Sequence, residues 1–141
     1  MPPWNGLLQA WWSELFGRPS PCLPEGVRVY AVGDIHGRSD LLERILSGIV
    51  IDDREQPPAL TTVIFVGDYC DRGSGSREVV DLLLDFRNRS GFEVRFLKGN
   101  HDLLFHDVIQ TGRSLWPWLE LGGLSTLRSY GITPPAEAFD P

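Results

Sequence analysis

Three short apolar segments of this chain end in the same way, with a glycine followed by a side chain that can bind a cation. The pairs are Gly33-Asp34, Gly67-Asp68 and Gly99-Asn100. An amphipathic helical pattern separates each pair from the next, which predicts consecutive βα units and a largely parallel sheet in an α/β fold. The carboxyl ends of parallel strands share one edge of the sheet, so we expect the three polar side chains to lie together there.

The bounds of these elements follow from the spacing of the apolar residues. Continuous β-branched runs predict three strands, and apolar residues three and four positions apart predict the helices between them. Ser39 is the expected N-cap of the first helix, because its hydroxyl can accept a backbone N–H. The predicted strands are Val27–Val32, Thr62–Val66 and Glu93–Leu97; the predicted helices are Asp40–Val50, Ser76–Asn88 and one beginning near His101, with a polar loop at Asp52–Pro58.

The first 24 residues carry a different pattern. Trp4, Trp11 and Trp12 lie with other apolar residues at helical spacing, and a proline-containing stretch follows them. We therefore divide the chain into a Trp-rich amphipathic helix with a Pro-rich linker, residues 1–24, and a βα domain, residues 25–141. The helix is expected to pack on the chain's own core or to mediate self-association, with a partner protein or a membrane surface as alternatives.

Composition limits the possible functions. The chain has 141 residues, a formal net charge of −6 and a single lysine, Lys98, so we expect no nucleic-acid partner, which would need a basic face. No apolar run reaches the roughly 18 residues of a transmembrane segment, and no secretory signal precedes the domain. Two cysteines are too few for a disulfide scaffold, so we predict a cytoplasmic protein.

The side chains at the predicted sheet edge form a set of metal ligands. Asp34, His36, Asp68 and Asn100 offer carboxylate oxygens, an imidazole nitrogen and an amide oxygen. A mixed oxygen and nitrogen set without thiolate suits Mn²⁺, Fe or Zn²⁺ better than Ca²⁺. A carboxylate shared by two ions would hold them close together, as in two-metal phosphoryl-transfer sites. We predict divalent metal binding, with Mn²⁺ first and Fe or Zn²⁺ as alternatives.

Three segments at this edge resemble the opening signatures of the calcineurin-like metallophosphoesterases: Gly33-Asp34-Ile35-His36-Gly37, Gly67-Asp68-Tyr69-Cys70-Asp71-Arg72-Gly73 and Gly99-Asn100-His101-Asp102. Within that superfamily the chain is most similar to bacterial PPP-type serine/threonine protein phosphatases, from about Arg28 to Gly131. The resemblance implies the first half of a β-sandwich flanked by helices. It also implies a metal-dependent phosphoric monoester hydrolase whose partner is a phosphorylated protein or a small phosphoester.

The resemblance implies two divalent metal ions and assigns ligands to both. Asp34 and His36 would bind the first metal, Asp68 would bridge the two, and Asn100 would bind the second. A hydroxide that bridges the metals would attack phosphorus directly.

The resemblance also implies a catalytic acid. His101 would protonate the leaving oxygen, with Asp71 holding its tautomer and orientation. Arg72 would bind the phosphate oxygens beside the Asn100 amide. From the residues alone, Asp71 and Arg72 could instead form a local surface ion pair.

Some residues that the resemblance implies are missing from this chain. The family supplies two further histidines to the second metal, and a second phosphate-binding arginine, from motifs downstream of the third signature. This chain has three histidines, of which the last is His106. We therefore expect an incomplete second metal site and one uncovered face of the sheet. The chain is then an N-terminal portion of the enzyme or an inactive truncated product.

A second enzyme of the same fold is the alternative, a symmetrical bis(5'-nucleosyl)-tetraphosphate hydrolase. Asp71 favours the protein phosphatase, because the symmetrical tetraphosphate hydrolases typically carry a different residue before the Arg-Gly pair.

Three other features invite a functional interpretation that we do not favour. His106 lies five residues after His101 on a predicted helix, which turns it about 140° away from the site. Nothing near Cys70 indicates a nucleophilic thiol. The Gly122-Gly123 pair is not followed by the Lys-Ser/Thr of a phosphate-binding loop.

Overall fold

A computed structural model describes residues 14–15 and 22–133 of the chain. Most of the predicted Trp-rich helix and its linker therefore lies outside the described residues. Within the described ranges no helix is long and apolar enough to cross a membrane. The elements are β1 (Val27–Val32), α1 (Ser39–Glu55), β2 (Leu60–Phe65), α2 (Ser76–Arg89), β3 (Glu93–Phe96), α3 (Asn100–Thr111), α4 (Leu115–Trp118), a wide π-type turn (Leu119–Gly123) and α5 (Leu124–Ser129).

The three strands form one parallel sheet in the order β1-β2-β3. Thr62 of the central strand is paired with Val29 on one side and with Glu93 on the other. Consecutive strands are therefore neighbours, and each connection carries a helix. The predicted α/β fold is confirmed. All three carboxyl ends meet at one edge, which is where the glycine-terminated segments were expected to place their polar side chains.

Helix α1 differs from its prediction at both ends. Ser39 is its first residue rather than its N-cap, and Arg38, which precedes it, makes no side-chain capping bond. The helix continues to Glu55 instead of ending near Val50, so the start of the predicted polar loop is helical. The sheet holds this extra turn, because Asp53 accepts hydrogen bonds from Arg28 and Thr61. Such long-range contacts override the local preference for a loop.

The hydrophobic core lies between the sheet and the helices α1 and α2. Val63 and Phe65 of β2 are fully buried. The Phe65 ring packs 5.4 Å from Phe96 of β3 and 6.4 Å from Phe86 of α2, measured between ring centroids. These contacts join the central strand to a neighbouring strand and to a helix. The other buried apolar residues of this core include Val32, Leu42, Leu46, Ile49, Val79 and Leu83.

The opposite face of the sheet is open within the described residues. Side chains alternate along β2, so Thr61, Val63 and Phe65 are buried on one face while Leu60 points to the other and is 79% exposed. Val66 and Leu97, which follow β2 and β3, are also exposed. Among residues 22–133, this face of the sheet therefore presents apolar side chains to solvent.

The burial of Phe65 predicts a large loss of stability on truncation. Phe65→Ala should lower the free energy of unfolding by about 3–5 kcal/mol, because it removes a buried ring and leaves a cavity. Leu60→Ala, on the exposed face of the same strand, should change it by less than about 0.5 kcal/mol. Urea unfolding followed by circular dichroism measures both. Equal losses in the two variants would contradict the assignment of the core face.

Candidate metal centre

The loops after β1 and β2 are bound to each other through their backbones. The Asp68 carbonyl oxygen accepts hydrogen bonds from the N–H groups of Ile35 (3.1 Å) and His36 (2.8 Å). In the other direction, the N–H of Gly73 donates to the His36 carbonyl at 3.1 Å. These bonds fix the first signature against the second, so the side chains of both loops have defined relative positions.

The loops after β2 and β3 approach even more closely, at Gly67. Gly67 has φ +116°, a region that favours glycine, and a Cβ there would overlap the backbone nitrogen and Cα of Gly99. Two strand-ending glycines therefore meet backbone to backbone. This contact explains physically why the residue before Asp68 lacks a side chain.

Asp102 ties the same two loops together with its carboxylate. It accepts hydrogen bonds from the N–H groups of Asp68 (2.7 Å), Tyr69 (3.0 Å) and Gly99 (2.9 Å). No role was predicted for Asp102 from the sequence. Its position three residues after Gly99 was an available signal, since an acidic side chain at N3 commonly reaches back to the N-cap N–H.

The first three predicted ligands form a candidate metal site. One ligand atom from each of Asp34, His36 and Asp68 lies within 4.8 Å of the other two. Asp34 is exposed, His36 is partly buried and Asp68 is buried, so the cluster opens to solvent on one side. Asp68 is further fixed by the His101 N–H, which donates to its Oδ1 at 2.9 Å.

The tautomer of His36 leaves a ring nitrogen of this cluster unprotonated, as a cation ligand must be. Nη1 of Arg72 lies 2.9 Å from Nε2 of His36, and Nη2 lies 3.1 Å from Nε2 of His101. A guanidinium can only donate, so both Nε2 atoms accept and both rings carry their proton on Nδ1. In His36 that proton is donated to the Cys70 carbonyl oxygen at 2.9 Å. Two carboxylates and an imidazole lone pair therefore face the same opening, which is a donor set that suits Mn²⁺, Fe or Zn²⁺.

His101 and Asp71 form a buried pair beside the cluster. Nδ1 of His101 lies 2.8 Å from Oδ2 of Asp71, and the side chains are 3% and 0% exposed. The His101 ring also packs edge-on against that of His36, with centroids 4.8 Å apart. The alternative of a surface ion pair between Asp71 and Arg72 is therefore wrong, because Asp71 is buried and bound to His101 while Arg72 reaches across to both histidines.

Two further residues bind Asp71, and neither was predicted from the sequence. Nε1 of Trp118 lies 3.0 and 2.9 Å from the two carboxylate oxygens. Oγ1 of Thr126 donates to Oδ1 at 2.7 Å. These residues follow Asp71 by 47 and 55 positions. No local pattern links them to it, so only the folded chain reveals the contacts.

The backbone of the site is in an uncommon conformation. Among the described residues, five that are not glycine have a positive φ, and four of these belong to the site: His36 (45°), Asp68 (53°), Asp71 (72°) and Arg72 (66°). Such conformations cost free energy and persist where the surrounding contacts determine them. Here the backbone hydrogen bonds between the loops supply those contacts.

The remaining predicted residues lie as follows. Asn100 is exposed at the first position of α3, next to His101, and its role as a ligand stays a prediction. His106 is exposed, in agreement with its expected place on another face of the helix. Cys70 is buried, and burial together with the nearby Asp71 and Asp102 carboxylates raises the pKa of its thiol. Cys70 is thus a neutral thiol at neutral pH, as expected.

Residues 27–134, well over half of the chain, match the family model of the calcineurin-like phosphoesterases. The chain belongs to this family. The match begins at β1 and includes both the Asp34-His36-Asp68 cluster and the His101–Asp71 pair.

The curated relatives of this phosphoesterase include proteins of two kinds. It is 37% identical over 92 residues to the serine/threonine-protein phosphatase SIT4 of Candida albicans, an alignment that covers 63% of this chain and 28% of the relative. It is 40% identical over 74 residues to a symmetrical bis(5'-nucleosyl)-tetraphosphatase of Sodalis glossinidius, covering 52% of this chain and 23% of the relative. The phosphoesterase thus spans about a quarter of the length of these relatives.

A solved structure also aligns with the chain. It is that of a cold-active protein tyrosine phosphatase, with a TM-score of 0.49 and 21% identity over 83% of this chain and 35% of its own.

The contacts of Asp102 predict a measurable change in backbone dynamics. Asp102→Asn should speed hydrogen exchange at the amides of Asp68, Tyr69 and Gly99 and lower the free energy of unfolding by about 1–3 kcal/mol, because buried donors lose a charged acceptor. Asp107→Asn is the matched control on the same helix, since Asp107 binds only the nearby Thr111 in the described structure. Unchanged hydrogen exchange at all three amides in Asp102→Asn would contradict the role of this carboxylate in joining the loops after β2 and β3.

Proposed function

We propose that this chain supplies the metal-binding and proton-donating residues of a metal-dependent phosphoric monoester hydrolase whose substrate is a serine/threonine phosphoprotein. The observation that carries the proposal is the buried His101–Asp71 pair beside the Asp34-His36-Asp68 cluster. Family membership supports phosphoester hydrolysis, and the relatives named as protein phosphatases support the substrate class.

Asp34, His36 and Asp68 would hold a first divalent ion, and Asp68 and Asn100 would contribute to a second. Bound ions of this kind supply Lewis acidity, which activates water and polarises the phosphoryl oxygens. The donor set favours Mn²⁺, with Fe or Zn²⁺ as alternatives. Asp68 is suited to a shared position because it lies between the β1 loop and α3, with its backbone bound to the former and its side chain to the latter.

Arg72 would bind the phosphate. Its guanidinium is exposed at the mouth of the cluster, and its two terminal nitrogens reach both histidine rings. A planar guanidinium can bind two phosphate oxygens at once, which orients the phosphoryl group towards the cluster. When Arg72 turns to the phosphate, Nε2 of His101 loses that donor and is free to carry a proton.

His101 would then act as the general acid. Asp71 accepts the Nδ1 proton, which leaves Nε2 facing the opening of the site. With a second proton on Nε2, the ring donates that proton to the ester oxygen as its bond to phosphorus breaks, the alcohol departs, and the ring keeps its proton on Nδ1. Water supplies the oxygen that replaces it on phosphorus and returns one proton to Nε2, so inorganic phosphate is the second product. A positioned acid of this type contributes about 10²–10⁴-fold to the rate.

A symmetrical dinucleoside tetraphosphate hydrolase is the second candidate. It is favoured by the similarity to relatives of that name, at 40% and 39% identity. The His101–Asp71 pair favours the phosphoprotein instead, because an alkoxide leaving group needs protonation more than a nucleoside phosphate does.

The organisation of the chain is part of the proposal. The pattern of tryptophans and prolines supports a separate segment at residues 1–24, which could mediate self-association, followed by the phosphoesterase domain at 25–141. The low cysteine content supports a cytoplasmic location.

Metal binding tests the cluster directly. Asp68→Asn should weaken Mn²⁺ binding by about 10–100-fold in isothermal titration calorimetry, because it removes a charged ligand while keeping the size of the side chain. Asp85→Asn, an exposed residue of α2 paired with Arg89, should leave the affinity unchanged. Equal Mn²⁺ affinity in the Asp68 variant and the wild type would contradict the assignment of Asp68 as a ligand.

Hydrolysis tests the acid and the substrate class. In the native gene product, Mn²⁺ should stimulate phosphate release from a phosphothreonine peptide, and His101→Asn should reduce kcat by about 10²–10⁴-fold without weakening Mn²⁺ binding. His106→Asn is the matched control, since His106 is exposed on the same helix and should have no effect. Preferential cleavage of diadenosine tetraphosphate would establish the second candidate, and no Mn²⁺-dependent release from either substrate would refute both.

A further inference from the structure

Hydrogen-bond donors from two distant helical segments converge on the Asp71 carboxylate, on the side away from His101. The Trp118 indole N–H is shared by both oxygens, at 3.0 and 2.9 Å. The Thr126 hydroxyl lies 2.7 Å from Oδ1. An indole nitrogen can only donate, and the carboxylate, Trp118 and Thr126 are all fully buried. His101 and Trp118 thus both bind Oδ2, while Trp118 and Thr126 bind Oδ1.

The Thr126 hydroxyl is fully used in this arrangement. It donates its single proton to Asp71 Oδ1, so it must accept from the Asp71 backbone N–H at 2.9 Å and from the Ser76 hydroxyl at 3.0 Å. One hydroxyl thus binds both the side chain and the backbone of Asp71, whose φ is +72°. Valine has the shape of threonine but could make none of these bonds.

Trp118 is itself held in place from two sides. Its indole stacks on Phe105 of α3, with centroids 4.9 Å apart and an angle of 19° between the ring planes. On the other side a Cβ at Gly123 would overlap the indole, so the ring packs directly on the backbone of the wide turn. The neighbouring Gly122 carbonyl accepts the Arg72 N–H at 3.2 Å. The Gly122-Gly123 pair lacks the sequence of a phosphate-binding loop. It instead contacts the Trp118 ring and the Arg72 backbone.

We propose that Trp118 and Thr126 are positioning residues for His101. They fix the plane of the Asp71 carboxylate so that Oδ2 faces Nδ1 of His101, which keeps the ring proton on Nδ1 and directs Nε2 into the site. Their side-chain hydrogen bonds go to Asp71 and Ser76 and not to Asp34, His36 or Asp68. The consequence for catalysis rests on the proposed function, whereas the effect on the His101 tautomer does not.

The tautomer can be measured in the 141-residue chain itself. Selective ¹⁵N labelling of histidine gives only three rings, and long-range ¹H–¹⁵N spectra report which nitrogen of each ring is protonated. In the wild type, neutral His101 should be the Nδ1–H tautomer. In Thr126→Val and in Trp118→Phe, a Nε2–H population of His101 should appear, because the carboxylate is free to rotate once a donor is lost.

Three variants separate positioning from general destabilisation. Thr126→Ser keeps the hydroxyl and should restore the wild-type tautomer, even if it packs less well. Val79→Ala removes buried volume elsewhere in the core and should lower stability without changing the tautomer. Thr111→Val removes an exposed hydroxyl that binds Asp107 and the Arg113 N–H, far from Asp71 in the chain, and should change neither. If Thr126→Val fails to fold, Trp118→Phe and Thr126→Ser still decide the question.

A kinetic test of the same proposal compares kcat for two aryl phosphates with different leaving groups, in the Mn²⁺-loaded gene product. Thr126→Val should lower kcat for phenyl phosphate, a poor leaving group, by about tenfold or more, while kcat for p-nitrophenyl phosphate and KM for both change little, because only the poor leaving group needs the acid. Thr126→Ser should restore the phenyl phosphate rate.

Two results would overturn the proposal. One is an unchanged His101 tautomer in both Thr126→Val and Trp118→Phe. The other is an equal loss of rate on the two aryl phosphates, which would indicate a structural role alone. Absence of any activity in the wild type would refute the proposed function instead, and the tautomer result would stand by itself.

Discussion

The backbone contact between the β2 and β3 loops is the constraint on which the rest of the site depends. Gly67 and Gly99 meet without intervening side chains, and the Asp102 carboxylate binds N–H groups from both loops. These contacts join the two segments. The segments carry Asp68 and His101, so the proposed metal ligand and the proposed proton donor are held in place by the same contacts.

The site has two parts of different origin. Asp34, His36 and Asp68 lie on loops that follow neighbouring strands, and the parallel sheet together with the hydrogen bonds between these loops brings them together. The environment of Asp71, in contrast, is completed by Trp118 and Thr126 from the helical segments after α3. The sheet thus determines where the cluster lies, and those helical segments bind the Asp71 side of the His101–Asp71 pair.

The sequence was sufficient for the features that depend on local patterns. Continuous β-branched runs, separated by amphipathic helical patterns, predicted the α/β order. The glycines that end these runs predicted the shared sheet edge and the cluster of Asp34, His36 and Asp68. The end of α1 was predicted wrongly, because contacts from Arg28 and Thr61 to Asp53 extend the helix. The cap was also predicted wrongly, since Ser39 is the first residue of the helix. Trp118 and Thr126 could not be found, since their contacts with Asp71 arise only after the chain has turned back on itself.

The positive φ angles of Asp68 and Asp71 limit which residues these positions accept, independently of any bound ion. Aspartate, asparagine and glycine adopt this conformation readily, whereas alanine and branched side chains do so at a cost of about 1–2 kcal/mol. An alanine substitution here therefore removes a carboxylate and strains the main chain at once. Asparagine isolates the loss of charge, so evolutionary or laboratory replacement of these aspartates is expected to pass through asparagine more easily than through alanine.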